Sequence, residues 1–369
     1  LIAMNPELAI HHYLARWDSE WQLDKALDSA GIALEETQKE PLLAECLNIL
    51  YQIGNVQTPS QHTSFVGNIM SSRISALWDF NGPSFTITNG DNGTTRALEV
   101  AQNMLSLGEV DAVVVGAVDF SAGMEAVLLR NLATSINQNK KPSLSFNLDD
   151  YGWLIGEGAS AIVLKASDRI DEKDTVFAKI EAVGDIATTD NIALQELVAS
   201  GFDHENQLEQ ERLLAINPAS KIALGSVKTN IGHTFAAAGL ASIVKTALCV
   251  YHQFIPGIPN WQSAKNDAFK NSNYYFPSLS RPWVNETEQP RQALVNLSQH
   301  SRVKLSECTQ PKPHNVYNFL EKHLFVLKGN TPAELKAQLQ QLNEDILTHD
   351  LAFVAQACFD KAATPKATY

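Results

Sequence analysis

Residues 82–117 read GPSFTITNGDNGTTRALEVAQNMLSLGEVDAVVVGA, and the order of signals in this stretch decides the fold class. Ser84 to Thr88, rich in Phe, Thr and Ile, has the composition of a short strand. Asn89-Gly90-Asp91-Asn92-Gly93 is a dense turn signal. Thr94 to Leu107 then places Leu98, Ala101 and Leu105 on one helical side. Asp111 to Ala117 is an almost wholly apolar strand, of the kind covered on both faces in an α/β core. Strand, sharp turn, helix, buried strand is the grammar of a layered α/β protein.

The same grammar extends outward. Asn68 to Trp78 predicts a helix with Ile69, Ile74 and Leu77 on its apolar side, ended by Asn81-Gly82-Pro83. Residues 1–50 read mostly helical, with Leu23, Leu27 and Ala30 ahead of Gly31. Downstream, Ala159–Lys165 and Val176–Ile186 predict strands, and Ile222–Gly225 predicts a strand leading into Ser226–Thr234. Ala237–Val250 is an Ala-rich helix suited to close packing, and Ala293–Asn296 with Arg302–Leu305 predict a closing hairpin. The composition shifts again near Thr309. His323–Lys328 predicts a strand, and Thr331-Pro332-Ala333-Glu334 has the Thr, Pro and Glu of a capping-box helix start. Leu335, Leu339 and Leu342 share a face of that helix, and Asp350–Phe359 predicts another. Phe85, Trp78 and Trp153 read as core aromatics.

Length and composition bound the function. The chain has 369 residues, enough for one large α/β domain or a domain with a smaller appendage. Lys+Arg is 28 against Asp+Glu 41, a net charge of -13, which gives no general attraction to phosphate backbones and argues against nucleic-acid binding. Cys46, Cys249, Cys308 and Cys358 form no CxxC pair, which argues against a disulfide scaffold or cysteine-based zinc site and points to the reducing cytosol. The apolar run Val113–Val118 is far too short to cross a bilayer, and the first residues lack a signal-peptide pattern, so no membrane role is expected. The adjacent His11 and His12 cannot form an i,i+4 metal pair, and no GxGxxG opens a helix, so neither a metal nor a nucleotide cofactor is expected. The chain does not begin with Met and reads as a piece of something longer.

Four segments, GPSFTITNGDNGTTRALEVAQNML, EVDAVVVGAVD, SFNLDDYGWLIGEGASAIVLK and GSVKTNIGHTFAAAGLASIVKTAL, together resemble the β-ketoacyl synthase family of condensing enzymes, in family order from about Leu23 to Glu307. The resemblance implies a thiolase-like, layered α-β-α-β-α fold, N-terminally truncated, over residues 1–308. Residues 309–369 resemble the small α/β linker between a ketosynthase and an acyltransferase. Within the family, the likeness points to bacterial polyunsaturated fatty acid synthases, which carry active and degenerate ketosynthase-like domains. It also implies substrates held on the phosphopantetheine of acyl carrier protein, pairing as a homodimer or with an active ketosynthase, and a following acyltransferase domain. The near-continuous Val/Ala content of Asp111–Ala117 is unsuited to an exposed edge and adds to the expectation of a dimer.

The family's site residues carry over unevenly. Counting GPSFTxxxxC from Gly82 puts the nucleophilic cysteine where this chain has Asp91, and no cysteine lies between Cys46 and Cys249. Asp91 is expected instead to cap the following helix. The first family histidine, in EAHGTGT, falls on Ser200, with only Gly201 keeping its place and His204 a turn too far along. The second survives as His233 in Lys228-Thr229-Asn230-Ile231-Gly232-His233, with Lys228, and Glu157 matches the GEG motif. In the family, the lysine and glutamate form a supporting pair. The closing GFGGTNAH is replaced by VNLSQHS, residues 295–301. The expectation is therefore a copy that does not condense and acts as a chain-length factor or scaffold. Two alternatives remain: residual malonyl-thioester decarboxylation or acyl transfer through His233, or the non-catalytic first half of a ketosynthase-like/acyltransferase protein. This chain has no GxSxG elbow for the transferase itself.

Overall fold

The computed structural model describes residues 1–5, 19–53, 66–120, 123–133, 136–137, 144–148, 154–171, 174–186, 191–216, 218–265, 267–284, 289–308, 324–348, 354–355 and 357–358. The first half supplies β1 (Ile2–Ala3), α1 (Ser19–Ser29), α2 (Glu36–Ile53), α3 (Gly67–Trp78), β2 (Thr86–Ile87), α4 (Gly93–Ser106), β3 (Ala112–Asp119), α5 (Met124–Ala133) and β4 (Gly158–Lys165). The second supplies β5 (Lys179–Gly184), β6 (Ile192–Glu196), α6 (Asp203–Ile216), β7 (Ile222–Gly225), α7 (Lys228–Ile231), α8 (Ala238–His252), β8 (Phe254–Ile255), β9 (Tyr274–Tyr275), β10 (Arg281–Pro282), β11 (Gln292–Asn296) and β12 (Arg302–Ser306). α9 (Pro332–Thr348) follows in the tail.

Two sheets enclose a helical layer. In the first, of order β2-β1-β3-β4, β1 lies parallel between β2 and β3 while β4 runs antiparallel to β3. The second has order β5-β12-β11-β6-β7-β9, with β11, β6, β7 and β9 parallel and the β11–β12 hairpin antiparallel. Between them lie α4 and α8. Ala97, Leu98 and Ala101 of α4 and Leu240 and Ile243 of α8 share one buried cluster with Ala3, Val113, Val115 and Ala117 of the first sheet and Val295, Val303 and Leu305 of the second. The small residues of these helices let them touch: a Cβ at Gly239 would stand 3.1 Å from Thr94 Cβ. On the far face of the second sheet, Leu213 of α6 packs with Ile192, Leu224 and Leu294. This is the alternating helix and sheet layering of the thiolase superfamily. Phe235–His252 is apolar and long enough to cross a membrane by length and composition, yet 67% of it is buried, as a central helix requires.

Several expectations need correction. Ile2–Ala3 read as helical, but forms a strand in the middle of the first sheet. β3 is paired on both sides, so its apolar composition is satisfied inside the sheet and no longer argues for a partner at its edge. Trp78 is not core: it ends α3 67% exposed. Leu324–Lys328 forms no strand. At the start of α9, Thr331 Oγ1 accepts the Glu334 N–H at 3.2 Å as expected, but the Glu334 carboxylate reaches the Asn330 N–H instead of closing the box on Thr331. Of the three leucines expected to share a face, Leu335, Leu339 and Leu342, only Leu342 is buried. His11, His12 and Trp153 lie outside the described residues, as does most of Asp350–Phe359.

The halves also meet through main chain. The His233 N–H donates to the Leu154 carbonyl at 2.7 Å, and the Gly156 N–H donates to the His233 carbonyl at 3.0 Å. Glycines permit the approach. A Cβ at Gly156 would fall 2.0 Å from the Ile231 carbonyl oxygen, and Gly232, at φ 75°, leaves only 2.9 Å between its own would-be Cβ and the Gly156 nitrogen. Leu240→Ala, at a fully buried side chain between the sheets, is expected to cost about 2–5 kcal/mol in denaturant unfolding, whereas Leu339→Ala on the exposed tail helix changes stability by under about 0.5 kcal/mol. Gly156→Ala is expected to destabilise by more than about 3 kcal/mol, because the carbonyl it strikes belongs to backbone and cannot rotate away; unfolding midpoints of the three variants check these outcomes.

Candidate functional site

The crossing places His233 at the end of the short helix α7, with its side chain 3% exposed. Its Nδ1 accepts the Phe235 backbone N–H at 3.0 Å. The neutral ring must then carry its proton on Nε2, which makes Nε2–H the donor the site presents. Burial, with the positive charges of Lys228 and Arg130, holds the imidazole well below its ordinary pKa. Phe235, at φ 42°, stacks on the imidazole with ring centroids 4.5 Å apart and planes inclined by 16°. The Arg130 guanidinium of α5 lies 3.2 Å from the Phe235 ring centroid, a cation over an aromatic face.

Two groups flank Nε2: Lys228 Nζ at 3.5 Å and Asp91 Oδ2 at 3.8 Å. Since the ring nitrogen bears hydrogen, its complement is the carboxylate. Asp91 sits in the single-turn 3₁₀ helix Gly90–Asn92 that leads into α4. The expected cap is corrected here: Asn92 is the N-cap of α4 and no side chain caps it. The Asp91 side chain keeps 58% of its surface open, yet desolvation by the protein packed around it pushes its pKa up. Glu205 and Asp119 push the same way, against Lys228 and Arg130, which favour the carboxylate. Lys228 is half-buried, and burial lowers its pKa against the pull of Asp91, Glu209, Glu205 and Glu196. Glu157 is exposed, so the carboxylates acting on Lys228 come from other elements.

Ser200 is buried, and its hydroxyl accepts the Phe202 N–H at 3.2 Å within its own loop. That loop is shaped from behind by Glu209 of α6, which accepts the Val198 and Ala199 N–H groups at 2.8 and 2.9 Å and the Asn296 amide at 2.9 Å. Ala199 is held at φ 43°. Glu196, fully buried at the end of β6, accepts the Val227 N–H just before Lys228 and the Lys245 ammonium at 2.7 Å. His204 is exposed on the first turn of α6. The structure thus brings Asp91, Lys228 and His233 together and leaves Ser200 bonded elsewhere. Arg130, Phe235, Glu196 and Glu209 escaped the sequence reading. Only Phe235, inside the recognised segment, stood beside a signal; the others come from distant elements. Among the described residues no group of His, Cys, Asp or Glu is placed to hold a metal ion.

Comparisons with known proteins bear on the family and the fold. The N-terminal domain profile of β-ketoacyl synthases matches residues 23–169, and the C-terminal domain profile matches residues 158–262. The chain is 29% identical over 364 residues to a polyunsaturated fatty acid synthase polypeptide of Thraustochytrium sp., covering 86% of this chain but 17% of that protein. A solved structure titled PfaC keto synthase–chain length factor is 32% identical with a TM-score of 0.58, over 85% of this chain and 32% of that one. A ketosynthase from module 6 of the bacillaene synthase of Bacillus subtilis superposes with a TM-score of 0.58 at 23% identity, over 78% of this chain and 58% of that one, a likeness of fold. The chain therefore spans only part of each of these relatives. With both halves of the family profile matched in order, together spanning residues 23–262, the chain belongs to the β-ketoacyl synthase family.

Proposed function

We propose that this chain is a ketosynthase-like copy that does not condense, and that it serves as a chain-length-factor or scaffold domain in a polyunsaturated fatty acid or polyketide synthase. The observation that carries the reading is Asp91: a carboxylate stands 3.8 Å from His233 Nε2, at the elbow before α4. Condensation needs a nucleophile that can take an acyl chain from one thioester and give it up again, the work of a thiolate. A carboxylate attacking a thioester would give a mixed anhydride, a poor exchange partner for thiols. The other half of the chemistry is weakened too. His233 keeps an Nε2–H donor, but where the resemblance puts the first imidazole this chain has Ser200, whose hydroxyl accepts the Phe202 N–H and cannot act as an imidazole.

The similarity to a structure titled keto synthase–chain length factor supports the same reading. In it, the partners are acyl carrier protein and either an active ketosynthase or a second copy of this chain. The tail from residue 309 leads toward a following acyltransferase. The second reading, residual malonyl-thioester decarboxylation, is favoured by one observation: the retained Nε2–H donor of His233.

Incubation with acyl-carrier-protein thioesters is expected to leave no acyl adduct by intact-protein mass spectrometry; an acyl mass increase that disappears in Asp91→Asn would overturn the non-condensing reading. Loss of one oxyanion donor typically costs roughly a few hundred-fold in rate. Malonyl loss from carrier protein is therefore expected at background, unchanged in His233→Ala and Ser200→His. Clear turnover abolished by His233→Ala would move the assignment to the decarboxylase.

A further inference from the structure

Phe235 is held in a conformation that its side chain rarely takes. A bulky residue seldom adopts a positive φ, and Phe235 stands at φ 42° while only 7% exposed. Strain of that kind persists where the surroundings over-determine it. Two contacts to His233 do so. The Phe235 backbone N–H donates to Nδ1 at 3.0 Å, and the phenyl ring stacks on the imidazole with centroids 4.5 Å apart. One residue therefore fixes both the tautomer of His233 and the plane of its ring.

The Arg130 guanidinium stands 3.2 Å from the Phe235 ring centroid. A group that close fills one face of the phenyl ring, so the stacked imidazole takes the other. The result is a sandwich of imidazole, phenyl and guanidinium, whose last layer is supplied by α5. A guanidinium over an aromatic face is attracted by the ring quadrupole. Partial burial works against the charge of Arg130, and Asp119 and Asp91 sustain it. The charges facing the imidazole are Lys228 of α7 and Asp91 of the turn before α4 at its Nε2 edge, and Arg130 beyond Phe235. Burial opposes protonation of the ring first, and both cations add to it.

We infer that Arg130 and Phe235 are positioning residues for His233: Phe235 sets the plane and tautomer of the imidazole, and Arg130, packed from α5 on the opposite face, keeps Phe235 in the conformation that lets it do so. The inference rests on reading His233 as the donor of this site, and it makes the direction of Nε2–H depend on α5.

The test follows the histidine ring nitrogens of the isotope-labelled full chain by NMR, with the His233 signals assigned by their loss in His233→Gln. The unaltered protein is expected to show His233 only as the Nε2–H tautomer. Arg130→Met, which keeps a side chain over the ring and removes the cation, is expected to show a second population protonated on Nδ1. Its titration midpoint moves upward, because burial and Lys228 alone then oppose protonation. Arg130→Lys, which returns a cation to the ring face, restores both readouts toward the unaltered protein and separates loss of the clamp from loss of the fold. Phe235→Leu is expected to mix the tautomers too, and adding Arg130→Met to it mixes them no further, since the arginine acts through the phenyl ring. A single Nε2–H tautomer in Arg130→Met overturns the role of Arg130, and the same result in Phe235→Leu overturns that of Phe235. Further mixing in the double variant overturns the route through the sandwich. The imidazole itself is read, so failure of the acyl-site reading shows in the thioester assays and not here.

Discussion

The contact between Gly156 and the Ile231–Gly232 backbone is the constraint on which the rest of the site depends. With 2.0 Å between a would-be Cβ and a carbonyl oxygen, no other residue fits at 156 without moving main chain. The hydrogen bonds on either side, from His233 to Leu154 and from Gly156 to His233, close a bridge between the segment feeding the first sheet and the segment following β7 of the second. From that bridge β4 departs in one direction and α8 in the other. The imidazole is located by backbone alone, before any side chain contributes.

Around it, buried carboxylates act as internal fasteners. Glu209 binds two N–H groups of the Ser200 loop, and Glu196 binds the N–H ahead of Lys228 while paired with Lys245. A buried carboxylate stripped of its partner is costly, typically by several kcal/mol, so such arrangements hold loops in one geometry regardless of what chemistry the loops perform. Frame and reacting groups are thus separable. Asp91 is presented by the short 3₁₀ turn ahead of α4, and Ser200 sits in a loop whose shape is dictated from behind by Glu209.

Much of the fold was legible because it rests on periodicity and on glycine. α4, β3, β4, β7, α8 and the β11–β12 hairpin lie within a few residues of where composition puts them. β1 was not legible: two residues carry no periodic signal, and only pairing with β2 and β3 makes them a strand. Trp78 misled for a related reason, since apolar character says that a side chain prefers burial and not whether a neighbour is present to bury it. At the site, Asp91, Lys228 and His233 were found through the resemblance to the family's motifs. The capping role expected of Asp91 failed because a local rule was applied where a distant imidazole and ammonium set the surroundings. Arg130 meets Phe235 from a separate helix, and no sequence pattern links positions so far apart.

The sandwiching of α4 and α8 between two sheets has a further consequence, for how the molecule breathes. Amides on the buried faces of these helices are shielded by a sheet on either side, so they belong to the slow-exchanging class. α1 is the opposite case, having no buried residue, and it can fray at little free-energy cost. Asp91 lies on the turn that feeds α4, and His233 lies just before α8. Both are therefore anchored to slow-exchanging parts of the chain, and local fluctuation at the periphery leaves the distance between them unchanged.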